Sequence, residues 1–430
     1  VATTLPFARL STRVRAPVCP RDRLSQEFWR NTLKDSRSLV RVGAIGLAGL
    51  LALSACATKT SSGGGLAGGG SAAPGGGGTV KIGFEGPLSG DNAQLGINEV
   101  NAVQLAVDEA NKNNTYGFQV TLVKSDDVGD PAKAPAAAAT LIQDNAILGV
   151  IGPSFSGASK AVAPAYGGAN LVLISPSATN PTLTSQGFTA FHRIVPPDSL
   201  EGQEAGDYLA AHATTTKKVF VIDDLSDYGK GAADAVQAEL KAKGIASERQ
   251  GVDAKTTDYS VIAQQVAASK DDAVFYGGYD TQAGQLAKAL KAAGYTGITM
   301  TGNGGKSSKF TAAAGPAGDG WLFSCGCLDA TVAPNAKAFN DAYKAAFNTD
   351  PSTYSPEAYD ATNALLTAIK AAGANPTRKA VTDAVNALDY KGLTTQIKFQ
   401  PNGEVANQVV NLYKQTDGKI LLIGDIKSAK

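Results

Sequence analysis

The chain has 430 residues, enough for two or three domains. Its 43% hydrophobic and 18% charged residues exclude wholesale disorder, and 39 Lys/Arg against 38 Asp/Glu exclude the basic excess of a nucleic-acid binder. Two histidines, His192 and His212, and four cysteines, Cys19, Cys56, Cys325 and Cys327, exclude a His-rich metal site and a disulfide-framed scaffold.

The first segment is basic. Residues 1–56 carry nine Arg/Lys and three Asp/Glu, which leaves 30 against 35 in the rest of the chain. Residues 1–33 show no period and begin at Val1; they read as an over-extended gene start, and Cys19 is given no function. Residues 42–55 form a 14-residue run without a charge, preceded by Arg37 and Arg41. A membrane span needs about 20 apolar residues, so this run reads as the core of a secretory signal. Its end, Leu53-Ser54-Ala55-Cys56, resembles the bacterial lipobox. That resemblance implies cleavage after residue 55 and a diacylglycerol on the Cys56 thiol. The competing reading is a buried cysteine closing an apolar helix. Acyl chains contribute roughly 0.8 kcal/mol per buried methylene, so several of them form a firm anchor. Residues 56–78 are rich in Gly with Ser and Ala, the composition of a flexible tether. No Lys-Ser/Thr ending makes that run a phosphate loop.

The body, 79–430, alternates strand and helix patterns. Val80, Ile82 and Phe84 alternate over Thr79–Glu85, a strand. Val100, Val103, Leu105, Ala106 and Ala110 mark a helix over 93–113. Strand Phe118–Lys124, helix 131–144, strand Ile147–Ile151, helix 156–168 and strand Leu171–Ile174 follow. A second series has helix 199–213, strand Lys218–Ile222, helix 229–243, strand 245–252 and helix 259–269. Strand Ala273–Tyr276, helix 281–293 and strand Ile298–Thr301 continue it. Helices at 334–349, 356–373 and 376–388 precede strands at 394–399, 407–413 and 419–423. The fold class is α/β: two similar units with mostly parallel sheets and a cleft between them. Ligands of such sheets sit beyond the carboxyl ends of the strands.

The loops at those ends are Gly152-Pro153-Ser154-Phe155-Ser156-Gly157 and Ser175-Pro176-Ser177-Ala178-Thr179-Asn180-Pro181. Both present hydroxyls and backbone N–H groups, which suit a carboxylate; helix capping and turn formation account for the same residues. In the second unit the loops are Asp227-Tyr228-Gly229, Tyr276-Gly277-Gly278-Tyr279-Asp280 and Gly302-Asn303-Gly304. With the opening Phe84-Glu85-Gly86-Pro87-Leu88-Ser89-Gly90, this ordered set resembles the branched-chain amino-acid binding proteins of ABC importers, of the periplasmic binding protein type I class.

The resemblance implies two Rossmann-like lobes with a central ligand cleft and three hinge crossovers. Lobe 1 would be 79–197 with 328–398, and lobe 2 would be 198–327 with 399–430. Ser156 and Thr179 would bind the ligand carboxylate, and the Ser177 carbonyl the ammonium, with Ala178 between them. Tyr228 and Tyr279 would close over the ligand, and Phe155 and Gln94 would shape its side-chain pocket; scaffold roles compete for both. Asn303 stands where the family has an acid facing the ammonium. Either Asp280 supplies the charge, or the ligand lacks a free α-amine and is an amide, urea-like molecule or carboxylic acid. Cys325-Gly326-Cys327 lies where the chain returns to lobe 1; a disulfide and two separate thiols compete there.

No cofactor or metal is expected. The partners are a small-molecule ligand, a membrane permease and a lipid anchor, and the protein is expected to be an extracytoplasmic monomer. An enzyme reading is weak, because Gly152–Ser156 lacks the final Gly of a nucleophile elbow and neither histidine falls in a cleft loop. Most acids fall on polar helix faces and read as solvated surface. A ligand sensor signalling to a partner shares the fold and stays open.

Overall fold

The apolar runs become strands covered on both faces. The structure is a computed structural model that describes residues 78–406 and 408–429. The leader, Cys56 and the tether as far as residue 77 lie outside the described residues.

The first series is β1 (Thr79–Gly86), α1 (Ala93–Asn113), β2 (Gln119–Asp126), α2 (Ala134–Gln143), β3 (Ile147–Ile151) and α3 (Ser156–Gly168). It ends with β4 (Val172–Ser175), α4 (Thr182–Ser185) and β5 (Phe191–Arg193). These strands form one parallel sheet in the order β2-β1-β3-β4-β5. Side chains of a strand alternate between faces. Val172 and Ile174 of β4 therefore join one core, and Leu173 joins the other.

The second series is α5 (Asp198–His212), β6 (Lys218–Asp223), α6 (Asp227–Ala242), β7 (Ala246–Gly251) and α7 (Ser260–Ser269). It continues with β8 (Ala273–Gly277), α8 (Asp280–Ala292), β9 (Ile298–Thr301), α9 (Ser308–Ala314) and β10 (Leu322–Cys325). After them come α10 (Lys337–Phe347), α11 (Ser355–Ala371), α12 (Arg378–Asn386), β11 (Asp389–Lys391), β12 (Gln396–Lys398), β13 (Asn411–Thr416) and β14 (Lys419–Asp425). The second sheet runs β14-β13-β10-β9-β8-β6-β7, with β13 and β14 antiparallel. Val219 and Val221 of β6 face one core while Phe220 and Ile222 face the other.

The chain passes between the sheets three times: after β5, after β10 and after β12. Helices α10 to α12 return to the first lobe, where Leu365 and Ile369 of α11 pack in one core with Ile82, Phe84 and Ile151. The molecule is thus an α/β protein of two lobes. Strand order reverses between β1 and β3 in one lobe and between β6 and β8 in the other, which marks the loops after those strands as ligand positions.

Several elements depart from the sequence pattern. The strand expected at 407–413 begins at Asn411, because pairing with β10 sets its register, with Cys325 opposite Asn411. The helix expected from 131 starts at Ala134, after Asp130 has accepted the Ala132 N–H in a local turn (2.9 Å). Strands β5 and β10, of three and four residues, carry too little pattern to read.

Candidate functional site

The loop after β3 opens on Gly152, at φ +112°, where a Cβ would lie 2.1 Å from the Glu85 carbonyl oxygen. Only glycine allows that approach. Past it, the Ser154 hydroxyl donates to Glu99 Oε2 (2.5 Å), and Ser156 opens α3. The Ser156 hydroxyl accepts from the Asn180 N–H (3.2 Å), so it joins the loops after β3 and β4. As acceptor there, it keeps its own O–H to give. The Ser177 hydroxyl donates to the Ser154 carbonyl (2.7 Å), a second tie between the same loops.

A buried cation holds the second loop from behind. Arg193 at the end of β5 is fully buried and donates from one guanidinium nitrogen to the carbonyls of Ala178 (3.1 Å) and Asn180 (2.9 Å). Its Nε donates to Glu404 Oε2 (2.9 Å), and a second nitrogen donates to Glu404 Oε1. The bidentate pair neutralises the guanidinium and links the first crossover to the third.

Ten residues line the cavity between the lobes: Leu95, Ser154, Phe155, Ser156 and Ser177 on one side, Tyr228, Tyr279, Asn303 and Gly304 on the other, and Tyr354. The cavity measures about 10 Å³. Phe155 and Tyr279 stack across it at 4.4 Å between ring centroids, and Tyr279 lies 5.3 Å from Tyr228. The Tyr228 phenol oxygen accepts from the Gly304 N–H (2.9 Å). Burial raises the Tyr228 and Tyr354 phenols well above their ordinary value, and the nearby Glu201 carboxylate adds to the rise. Both therefore stay neutral.

Of the expected site residues, Ser156, Ser177, Tyr228, Tyr279, Asn303 and Phe155 come together around this cavity. Ala178, Thr179, Asp280 and Gln94 do not line it. The Thr179 carbonyl accepts from the Asp198 N–H (2.8 Å), and its hydroxyl lies beside the Asp198 carboxyl. Gln94 donates to Asn98 (2.9 Å) along α1, and its neighbour Leu95 faces the cavity instead. Asp280 accepts from the Thr281 N–H (2.7 Å) and from the Ser307 hydroxyl, the cap of α9. Its carboxylate is spent on two helix starts and is not turned toward the cavity, so the expectation that it supplies the missing charge is corrected.

Two buried acids bond residues that line the cavity: Glu99, which accepts from Ser154, and Glu201 on α5, which accepts from Asn303. The reading of acids as solvated helix face is corrected here: Asp198, Glu201 and Glu204 of α5 are all buried. Glu201 Oε1 accepts from the Asn303 N–H (3.0 Å) and the Ser324 hydroxyl (2.9 Å). Oε2 accepts from Asn303 Nδ2 (2.9 Å) and the Gly326 N–H (3.3 Å). Burial pushes the Glu201 carboxyl up to about 7, against those four donors. Burial pushes Asp198 up to about 8, with Glu201 adding to the rise and the Thr179 hydroxyl and Arg193 opposing it. One wall thus offers hydroxyls and the positive end of α3. The other backs onto Glu201, whereas the acid behind the first wall, Glu99, is pushed by burial up to about 8.

Cys325 and Cys327 are joined as a disulfide at the second crossover, flanking Gly326. Among the described residues no group of His, Cys, Asp and Glu is arranged to hold a metal ion. Glu201, Leu95, Ser154, Gly304, Arg193 and Tyr354 were not singled out by sequence. Arg193, a charge beside apolar Phe191, Ile194 and Val195, carried a signal, as did Ser154 and Gly304 through the candidate loops that hold them.

The Leu/Ile/Val-binding protein BraC3 of Rhizobium johnstonii is 32% identical over 347 residues, 80% of this chain and 93% of the relative. The branched-chain amino-acid transporter substrate-binding protein LivJ of Streptococcus pneumoniae, solved in complex with isoleucine, is 28% identical. It superposes with a TM-score of 0.73 over 80% of this chain and 99% of its own. The leucine-binding protein LivK of Thermotoga maritima shares the fold, with a TM-score of 0.74 at 24% identity over 80% of this chain and 97% of its own. The periplasmic binding protein family matches residues 79–419, and the chain belongs to that family.

Proposed function

We propose that the protein is the extracytoplasmic receptor of an ABC importer, taking up leucine, isoleucine or valine by lobe closure and delivering it to a membrane permease. The observation that carries this reading is the opposed chemistry of the cavity walls. Ser156 and the first turn of α3 meet the carboxylate of the ligand; Asn303, with Glu201 behind it, meets the ammonium. A zwitterion leaving water needs both charges matched, since an unpaired buried charge costs several kcal/mol. Leu95, Phe155 and the tyrosines supply the apolar remainder.

A cavity of about 10 Å³ holds roughly one water, so an amino acid enters only after the lobes part. Closure then follows a hinge motion about the three crossovers. Lobe 1 comprises 79–197 with 328–398, and lobe 2 comprises 198–327 with 399–430. Similarity to BraC3 and LivJ supports the ligand class. In the cell, residues 1–55 act as the leader, Cys56 carries the lipid, residues 56–78 form the tether, and the receptor works as a monomer.

The test is a thermal-shift screen of the purified protein against amino acids, amides, urea and small carboxylic acids. A ligand at 100 times its Kd stabilises the folded state by about 2.7 kcal/mol. The largest shift is expected with a branched-chain amino acid. A response confined to ligands without an α-amine would overturn the reading.

A further inference from the structure

We infer that Glu201 is a positioning and specificity residue that selects ligands bearing an ammonium group by orienting and polarising Asn303. The inference rests on the amino-acid reading above and deepens it.

Asn303 Nδ2 donates to Glu201 Oε2, so the end of the Asn303 side chain facing Glu201 is the NH₂. The amide is planar, and its oxygen is therefore the end turned away from Glu201. Asn303 lines the cavity, and its amide oxygen is the acceptor it has to offer a ligand there. An N–H ligand group fits; a carboxylate or ether oxygen does not. When Glu201 is ionised, the negative charge behind the amide strengthens that acceptor, because chained hydrogen bonds polarise one another. A loop acid would present its charge directly; here the charge sits one residue back, and the amide relays it.

The loop is shaped for this relay. The backbone N–H of Asn303 also bonds Glu201, so the residue is held at two points. A Cβ at Gly304 would lie 2.5 Å from the Tyr228 ring, and one at Gly302 would lie 2.7 Å from the Tyr228 phenol oxygen. Glycine on both sides of Asn303 lets the loop press against Tyr228 while its one side chain reaches Glu201. All four donors to Glu201 come from Asn303, Ser324 and Gly326, a set that matches an ionised carboxylate.

The test is calorimetric binding of leucine and of 4-methylpentanoate, which is leucine without its amine. Wild type should prefer leucine by at least tenfold. In Glu201→Gln the leucine affinity should fall by about tenfold to a hundredfold, the scale of a hydrogen bond to a charged group, while 4-methylpentanoate binds as before. A purely structural role would weaken both ligands alike, and an unchanged preference would overturn the inference. The double variant Glu201→Gln/Asn303→Asp moves the acid into the loop and should restore the leucine preference. It decides the matter if the single variant fails to fold, and failure to restore the preference overturns the inference. Equal binding of both ligands by wild type would sink the relay and spare the receptor. Binding of neither would sink the amino-acid reading and the relay with it.

Discussion

Phe155, the last residue before α3, stacks on Tyr279, the last residue before α8, and this pair of rings joins the two lobes directly over the cavity. Such a pair contributes about 0.5–1.5 kcal/mol beyond its area burial. It also decides how much side chain the closed form admits. Phe155→Ala should therefore shift preference toward larger ligands, lowering the Kd of phenylalanine relative to valine by tenfold or more. Calorimetric titration of both amino acids checks this, and an unchanged ratio would remove Phe155 from the specificity pocket.

Ser156 and Thr179 should behave differently. Ser156 lines the cavity, whereas Thr179 lies behind it against Asp198. Ser156→Ala should weaken ligand binding by about 1–3 kcal/mol, as for a lost hydrogen bond to a charged group, and Thr179→Ala by less. Equal losses in titrations of the two variants would contradict the placement.

Arg193 is the anchor of the Ala178–Asn180 loop and the partner of Glu404. Removing one member of a buried pair leaves an uncompensated charge, at a cost of about 3–5 kcal/mol. Arg193→Leu should lose that much stability in urea unfolding. The double variant Arg193→Leu/Glu404→Leu should recover part of the loss, and a double variant as unstable as the single would show that the charge pairing is not the cause.

Stability should fall as pH rises from about 5 to about 8. Burial pushes Glu85, Glu99 and Glu357 up to about 8, from an ordinary value of 4.5, and Asp198 likewise up to about 8. Between those limits the folded state holds protons that the unfolded chain releases. Stability is then full below the unfolded values and is lost as pH rises through the folded ones. Melting temperatures across pH 5 to 8.5 test this, and Glu99→Gln should flatten the slope. A melting temperature that climbs over that range would contradict it.

Most of the scaffold was legible because parallel strands covered on both faces are continuous apolar runs; Ile147–Ile151 is buried throughout and reads so. Strand β5 was not, since Phe191-His192-Arg193 mixes one apolar residue with two polar ones. Their partners, Asn386 and Glu404, lie about two hundred residues away. The cavity loops were legible from their glycines and hydroxyls. The acids behind them were not: Asp198, Glu201 and Glu204 recur at a three-residue spacing that resembles a solvated stripe, and the donors that make burial of Glu201 tolerable come from β10 and the loops after β9 and β10.

The threefold passage between the lobes also governs how the chain can fold. The sheet of the first lobe is complete by Arg193, yet α11, which covers one face of it, ends only at Ala371. The second lobe gains β13 and β14 from residues 411–425. Neither lobe can finish while the chain is still being made, and contacts so distant in sequence slow folding. A polypeptide emerging end-first thus has neither wall of the cleft fully backed until nearly all of it is out.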